Sequence, residues 1–560
     1  MKRLLWLWLL LLTVACNKDE VITITPAPEI TFGESAYALK VGGSVVLQPT
    51  IKNIDKDATY LWKEGSTTLA TTSSYTYTAT KVGTFYISLT VTTPSGSDSE
   101  EVRIEVEELR PPVIGFAAEG NVMTIEVGVP TTIVPDIFSP TEYNLEWILD
   151  GKSLSSEKSL EVNFSAAGSH ELTLRATNED GTTERKITLE AVAMLDGKIC
   201  MPAERHTSLG RTLLLDAATV GFTNPAYTWS MGGKVVATTQ FFAYTPSEEG
   251  TEEIKLEVSD GKGRHASRII PIHTHPAEGH FKRAATAESK ATASKVFEYS
   301  PAPGQFINES KSGFGTIANA SEAAAYAAER LAAERYVSLG GWGGYIVAGF
   351  DHSVECGATG YDFSITGNMY TTSSEPGIVF VMQDTNGNGL PDDEWYELKG
   401  SEWGKESYTA HYAVTYYRPA AAGMGVLWSD SNNRQGIITR NATHPHDYYY
   451  PQWIKADSYT MYGPMLKPNS GVNSSGIYED RPYEWGYADN LGSDRDSGQN
   501  DEASALKNYF KIANAIAADG TPANLQYIDF VKVQCAVNYV SGPNGEISTD
   551  VLAITDERLK

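Results

Sequence analysis

At 560 residues the chain is long enough for several domains, and its formal charge of −26 at pH 7 repels phosphate backbones, which argues against a nucleic-acid partner. Thirty tyrosines and 49 glycines, with abundant Thr, Val and Ser, favour β structure. Beyond Cys16 only Cys200, Cys356 and Cys535 follow, too sparse and too odd a set for a disulfide framework. A Cys356–Cys535 bridge is open on these grounds, with separate buried thiols as the default.

Lys2 and Arg3 precede an apolar run from Leu4 to Val14, then Ala15 and Cys16. The run is shorter than the roughly 20 residues a bilayer takes, and it has the layout of a signal peptide over 1–15. Cleavage there leaves Cys16 at the N-terminus of a tether over 16–27. The segment resembles the lipobox of bacterial lipoproteins, although Thr13 stands where that family usually has Leu. Asn17-Lys18-Asp19-Glu20 resembles the acidic export signal of Bacteroidetes surface lipoproteins. The resemblance implies lipidation at Cys16 and an outer-membrane, cell-surface location. A secreted protein with a free Cys16 is the alternative.

Three segments then share one pattern: YLWKEG at 60–65, LEWILDG at 145–151 and YTWSMGG at 227–233. Trp62, Trp147 and Trp229 lie 85 and 82 residues apart, and each is followed 21 residues on by a glycine (Gly83, Gly168, Gly250) and an alternating apolar–polar run. Such a repeat predicts small antiparallel sandwiches with the Trp between the sheets. The segments resemble PKD-type immunoglobulin-like domains over 28–107, 112–193 and 197–273, the third copy most clearly through VSDGKG at 258–263. That resemblance implies a stalk, or modules that bind glycans. Residues 274–300, with Pro276, Gly279 and no apolar period, read as a linker. His273, His275 and His280 cluster there, but with no acid or cysteine to complete a metal set they read as solvated.

From residue 301 to 560 the pattern changes to numerous short strands and a single helix, Ser321 to Arg335, with Ser321 as its N-cap. YDFSIT, GIVFVM, WYEL, YAVTYY, YIDFVKVQC and DVLAI predict a larger, jelly-roll-like β-sandwich, and so an all-β chain. Between two of these strands, Asp384, Asn386, Asn388 and Asp392 place oxygens at alternate positions, as in the first half of an EF-hand loop, with the Leu390 carbonyl next. Position 12 is Trp395 rather than Glu, so Asp393 or Glu394 has to close the shell. A structural Ca²⁺ is one reading; a turn that satisfies itself with Asx hydrogen bonds is the other.

The phrases VSLGGWGGYIVAGFD, GYDFSITGN, SSEPGIVFVMQDTNGNGLPDDEWYELKGSE, WGYADN and YIDFVKVQCAVN resemble a family of bacterial cell-surface protein domains. The resemblance implies a lipoprotein that captures a scarce nutrient for a TonB-dependent outer-membrane transporter, with a corrinoid (vitamin B12) as the sharpest candidate. A carbohydrate-binding protein of a glycan-uptake system and an adhesion protein are the alternatives. A large amide-fringed ligand needs aromatic walls. The cluster Tyr448, Tyr449, Tyr450 and Trp453, with Trp485 and Tyr487, is the candidate recognition face, because Pro445 and Pro451 keep its first part from forming an ordinary strand. His444 and His446, beside proline, read as polar surface rather than as cobalt ligands. No nucleophile elbow, HExxH or phosphate loop is present, so no enzyme is expected.

Overall fold

The computed structural model describes residues 25–495 and 506–559. The signal segment and Cys16 lie outside the described residues. The chain divides into two compact units at residues 110 and 111.

The first unit is one sandwich. Its five-stranded sheet runs in the order Ala36–Lys40, Gly96–Glu107, Gly83–Thr93, Thr59–Glu64, Thr67–Ala70, and shorter pairs such as Ser44–Leu47 with Tyr75–Thr78 face it. Two more sheets of the same order occur in the second unit, built on Gly168–Asn178 with Gly181–Val192 and on Gly250–Ser259 with His265–His275. In all three, the edge strand pairs parallel and the rest antiparallel. Trp62, Trp147 and Trp229 are fully buried. Each indole Nε1 donates to the carbonyl ten residues on, of Thr72, Glu157 and Thr239, at 2.8, 2.8 and 2.9 Å. A residue with an apolar body and one donor fits a core position that has one free carbonyl, which is why the same residue recurs. Each glycine of the repeat opens the strand that pairs with the Trp strand.

The C-terminal domain is built on a six-stranded antiparallel sheet in the order Lys295–Ser300, Tyr345–Glu355, Tyr527–Cys535, Gly377–Met382, Trp395–Leu398, Ala515–Ile516. Its inner strands are buried on both faces, as their near-continuous apolar runs require. Smaller sheets around Phe363–Thr366 and Tyr408–Tyr417 pack about it. The helix is Ala320–Ala332, and its N-cap is Asn319 rather than Ser321. Asn319 Oδ1 accepts from the Glu322 N–H at 3.0 Å while the Glu322 carboxylate accepts from Asn319 Nδ2 and the Ala318 N–H, a reciprocal cap. Cys200, Cys356 and Cys535 are unpaired thiols.

Two expectations are corrected. The segment 274–300 is not a free linker: His273 and His275 sit in the strand His265–His275, and Lys295–Ser300 is already the edge of the C-terminal sheet. Arg283 pairs at 2.9 Å with the fully buried Asp529 carboxylate, and a Cβ on Gly387 would come within 2.3 Å of the Phe281 ring. The second and third sandwiches are likewise not a stalk that holds the last domain away. They form one unit with it, through contacts such as Gln435 with Val134 and Arg205 with Glu394. Burial of these polar partners ties the segments down where composition alone suggested freedom.

The same domain buries several carboxyls. Glu546 is 3% exposed; one oxygen accepts from the Gln305 N–H at 2.7 Å and the other has no partner. Loss of solvation pushes its pKa up to about 8. A carboxyl held protonated in the fold stabilises it fully below its unfolded pKa, and that contribution is lost as pH rises through the folded value. The melting temperature of Glu546→Gln should therefore fall less than that of the parent between pH 5 and pH 8, measured by circular dichroism; equal slopes would show that Glu546 is charged in the fold.

Candidate functional site

The strand Trp395–Leu398 pairs with Gly377–Met382 on one side and Ala515–Ile516 on the other, in the registers Val381 to Tyr396 and Leu398 to Ala515. Its polar end faces the third sandwich. Arg205 Nε donates to Glu394 Oε2 at 2.7 Å, and Arg205 Nη2 donates to Glu394 Oε1. Arg211 donates to the Ala523 carbonyl at 2.5 Å and to Glu278 Oε2 at 2.8 Å, with its guanidinium 5.5 Å from the Tyr396 ring centre. These links leave a cleft of about 440 Å³ lined by Trp395, Tyr396, Trp403, Tyr408, Glu397 and His411 among others.

Within the cleft the aromatic rings are half-buried rather than sealed. Trp403 and Tyr408 stand 6.3 Å apart at 46°, and Lys399 Nζ sits 5.1 Å from the Trp403 ring. A Cβ on Gly520 would come within 2.1 Å of the Trp403 ring, so that wall is held by close backbone approach. Tyr408 donates its hydroxyl proton to Glu397 Oε2 at 2.6 Å. Burial raises the Glu397 pKa to about 7 against the lowering effect of that bond. The cleft thus combines aromatic faces with a carboxyl, a hydroxyl and guanidinium groups that converge on one space.

The residues expected to form the recognition face lie elsewhere. Tyr449, Tyr450 and Tyr487 are 1–2% exposed and Trp453 is 8% exposed. Tyr449 donates to the His444 carbonyl, Tyr450 to the Ala456 carbonyl, and the Tyr487 hydroxyl accepts from the Glu402 N–H, each at 3.0 Å. With their hydroxyls satisfied inside the protein, these tyrosines are core residues. Tyr448 and Trp485 are half-buried in the same layers, and Asn308 clamps the loop by donating to both the Tyr448 and Tyr450 carbonyls at 2.8 Å. His444 and His446 are engaged with Glu309 Oε1 and the Gln305 carbonyl, both at 2.8 Å, and are not free surface. Trp453 also borders a groove of about 930 Å³ between the helix and the strand Lys295–Ser300 that includes Phe297, Tyr345 and Ile454.

Asn386, Asn388 and Asp392 meet in one hydrogen-bonded turn, and Asp384 caps backbone groups of the same turn. The Asp384 carboxylate accepts from the Gly387 and Gly389 N–H groups at 2.8 and 3.0 Å. Asn386 and Asn388 donate through Nδ2 to the two oxygens of Asp392, both at 2.9 Å, and the Leu390 N–H donates to Asn388 Oδ1 at 2.7 Å. Asn386 Oδ1 accepts from the Asn388 N–H at 2.9 Å, so the turn satisfies its own polar groups with Asx hydrogen bonds. Glu394 does not belong to this set: its carboxylate is turned onto Arg205. Asp393 is also turned away, with Oδ2 on the Thr385 N–H at 2.8 Å and Oδ1 toward His206. The cleft is not legible in the sequence, because Arg205 and Arg211 belong to a different domain from the aromatic residues they face.

Residues 26–93 match the PKD-like domain family. The match falls on the first copy of the repeat, not on the third, where VSDGKG had suggested the strongest likeness. Domains of this type are typically extracellular or surface modules that bind or adhere rather than catalyse. No curated protein matches the chain. Among solved structures, an I-band fragment of titin is similar over 44% of this chain and 98% of its own, at 14% identity and a TM-score of 0.22. Sidekick-1 immunoglobulin domains 1–5 are similar over 44% and 58%, at 16% identity and 0.24. Fibronectin(III)-like modules of Clostridium thermocellum CbhA are similar over 29% and 94%, at 13% and 0.17. At these scores none of them bears on the function of this chain. Among the described residues no helix is long and apolar enough to cross a membrane.

The Arg205 and Glu394 side chains are only 8% and 16% exposed, so removing one partner strands a buried charge. Arg205→Ala should destabilise the second unit by about 3–5 kcal/mol in urea unfolding, with a much smaller loss for the double variant Arg205→Met/Glu394→Leu. A single-variant loss under 1 kcal/mol would mean that water reaches the pair.

Proposed function

We propose that the chain is a cell-surface protein that captures a small extracellular ligand in the cleft between its third sandwich and its C-terminal domain, and that the ligand is of the carbohydrate class. The observation that carries this reading is the meeting of Trp395, Tyr396, Trp403 and Tyr408 with Glu397, Arg205 and Arg211 around one space. A pyranose ring offers an apolar CH face to an aromatic side chain and a rim of hydroxyls to carboxylates and guanidinium groups. The volume, about 440 Å³, lies toward the lower end of the roughly 300–1,000 Å³ that small-molecule sites span. A sugar-sized ligand matches it better than a corrinoid with its nucleotide tail. The corrinoid stands as a second reading, favoured by the larger groove of about 930 Å³ beside Phe297, Tyr345 and Trp453.

In either case the reading places the chain outside the cell, held to the outer membrane by lipid on Cys16 and passing its ligand to a TonB-dependent transporter. It also places a structural Ca²⁺ at Asp384, Asn386, Asn388 and Asp392, where it would stiffen the turn that leads into Trp395. Calcium added to the chelated full chain should raise the melting temperature, and Asp392→Asn should abolish the rise; an unchanged melting temperature in the parent would remove calcium from the loop.

The deciding experiment is calorimetric titration of the full chain with a panel of oligosaccharides and, in parallel, cyanocobalamin. Saturable heat from a sugar, weakened tenfold or more by Trp403→Ala, which at about 1.4 kcal/mol per tenfold is the loss of one good aromatic contact, is the expected result. Heat from cobalamin that Tyr345→Ala weakens and Trp403→Ala does not would move the protein to the second reading. Silence toward both ligands would overturn capture and leave adhesion.

A further inference from the structure

The register that pairs Arg205 with Glu394 also brings the next residue of one segment against the preceding residue of the other. His206 and Asp393 meet on the far side of the ion pair, and His275 and His273 come up beside them from the neighbouring strand, whose register places His206 opposite His273. The His206 and His275 rings lie edge to edge in nearly one plane, their centres 5.2 Å apart and their planes at 3°, with His206 Nδ1 2.9 Å from His275 Nε2. Asp393 Oδ1 lies 3.6 Å from the same His206 Nδ1. The Asp393 side chain is fully buried and that of His206 is 10% exposed.

Proton counting shows that this arrangement is incomplete. One proton can lie between His206 Nδ1 and His275 Nε2, whichever ring carries it. In both tautomers Asp393 Oδ1 has no donor and His206 Nε2 has no partner, and both atoms are buried. Buried polar atoms are almost always satisfied, so two orphans in one cluster mark a missing group. A cation that displaces the shared proton takes lone pairs from both imidazoles and from the unpartnered Asp393 oxygen at once.

We propose that His206 Nδ1, His275 Nε2 and Asp393 Oδ1 bind a divalent transition-metal ion of the zinc class, which joins the third sandwich to the 384–394 loop. The three atoms lie within 4.8 Å of one another. Ligand atoms about 2.0–2.1 Å from a tetrahedral zinc stand roughly 3.3 Å apart, close to the observed 2.9 and 3.6 Å, and the ion takes the place of the proton shared by the two rings, each of which turns off the line joining the facing nitrogens. Two nitrogens and one oxygen suit zinc, nickel or copper and not calcium, which takes oxygen alone. Burial, and then the neighbouring histidines, depress the pKa of both His206 and His275, which keeps them in the neutral form that ligates. With Nδ1 on the metal, His206 carries its proton on Nε2, which points toward Glu204 Oε1 at 3.9 Å, beyond direct hydrogen-bond reach. Glu204 is 56% exposed and gives the ion its way in. This site stands whether or not the adjoining cleft binds sugar.

The full chain, stripped of metal and dialysed, is titrated calorimetrically with Zn²⁺ and, separately, with Co²⁺ followed by its visible absorption. One Zn²⁺ per chain and a Co²⁺ band are expected, both unaffected by millimolar Ca²⁺, with affinity falling about tenfold or more in Asp393→Asn and in His275→Gln. Circular dichroism reports whether each variant is folded, and the one on the sandwich serves if the one on the loop is not. His280→Gln should bind as the parent does. Absence of Zn²⁺ binding in the parent overturns the site. So does binding that survives Asp393→Asn but is lost in Glu204→Gln, which would put the ion on the outer trio of Glu204, His206 and His273.

Discussion

The ion pair of Arg205 with Glu394 is the constraint on which the second unit depends. Two opposite charges with 8% and 16% of their side chains exposed cannot be left apart, because each would be stranded out of water. Two parallel hydrogen bonds between a planar guanidinium and a carboxylate also fix direction, which a greasy contact does not. The pair therefore sets how the third sandwich meets the six-stranded sheet. With that meeting set, the cleft lies on one side of the pair and the histidine–aspartate cluster on the other.

The aromatic residues divide by whether their polar tips are satisfied within the protein. Tyr449, Tyr450 and Tyr487 have hydrogen-bond partners within a few residues or across one layer, so nothing opposes their complete burial. The run HPHDYYYPQW, which looks like an exposed binding loop, is in fact folded inward by Asn308 and by its own backbone carbonyls. The residues left half-open, Trp395, Trp403 and Tyr408, come instead from a strand, a turn and the start of the next strand. They are open because a second domain, not their own, covers that edge of the sheet.

The 384–394 loop shows how one stretch serves two neighbours. Its first half curls on itself through Asp384, Asn386, Asn388 and Asp392. In its second half Asp393 and Glu394 turn to different neighbours, one to His206 and one to Arg205. The oxygen-rich pattern is the same in the sequence throughout, yet the two halves take on different chemistry.

Much of the fold was legible in the sequence. Alternation of apolar and polar residues marked the strands, and the spacing of Trp62, Trp147 and Trp229 marked three sandwiches, because strand period and core position are local properties of the chain. The strands Phe363–Thr366, Gly377–Met382, Trp395–Leu398 and Tyr527–Cys535 stand where their β-branched runs place them. The helix runs Ala320–Ala332 rather than Ser321 to Arg335, with Asn319 in place of Ser321 as its cap because of the local Glu322 contact. The sites were not legible in this way. Arg205 and Glu394 are 189 residues apart in the chain, and His206 and Asp393 are 187 apart. His275 carries no sign of its acid in its own segment, because Asp393, which faces it and His206, comes from another domain. A charge or an imidazole carries no local signal of its partner, and only the packing of one domain on another, through buried groups that had to be paired, chose which residues meet.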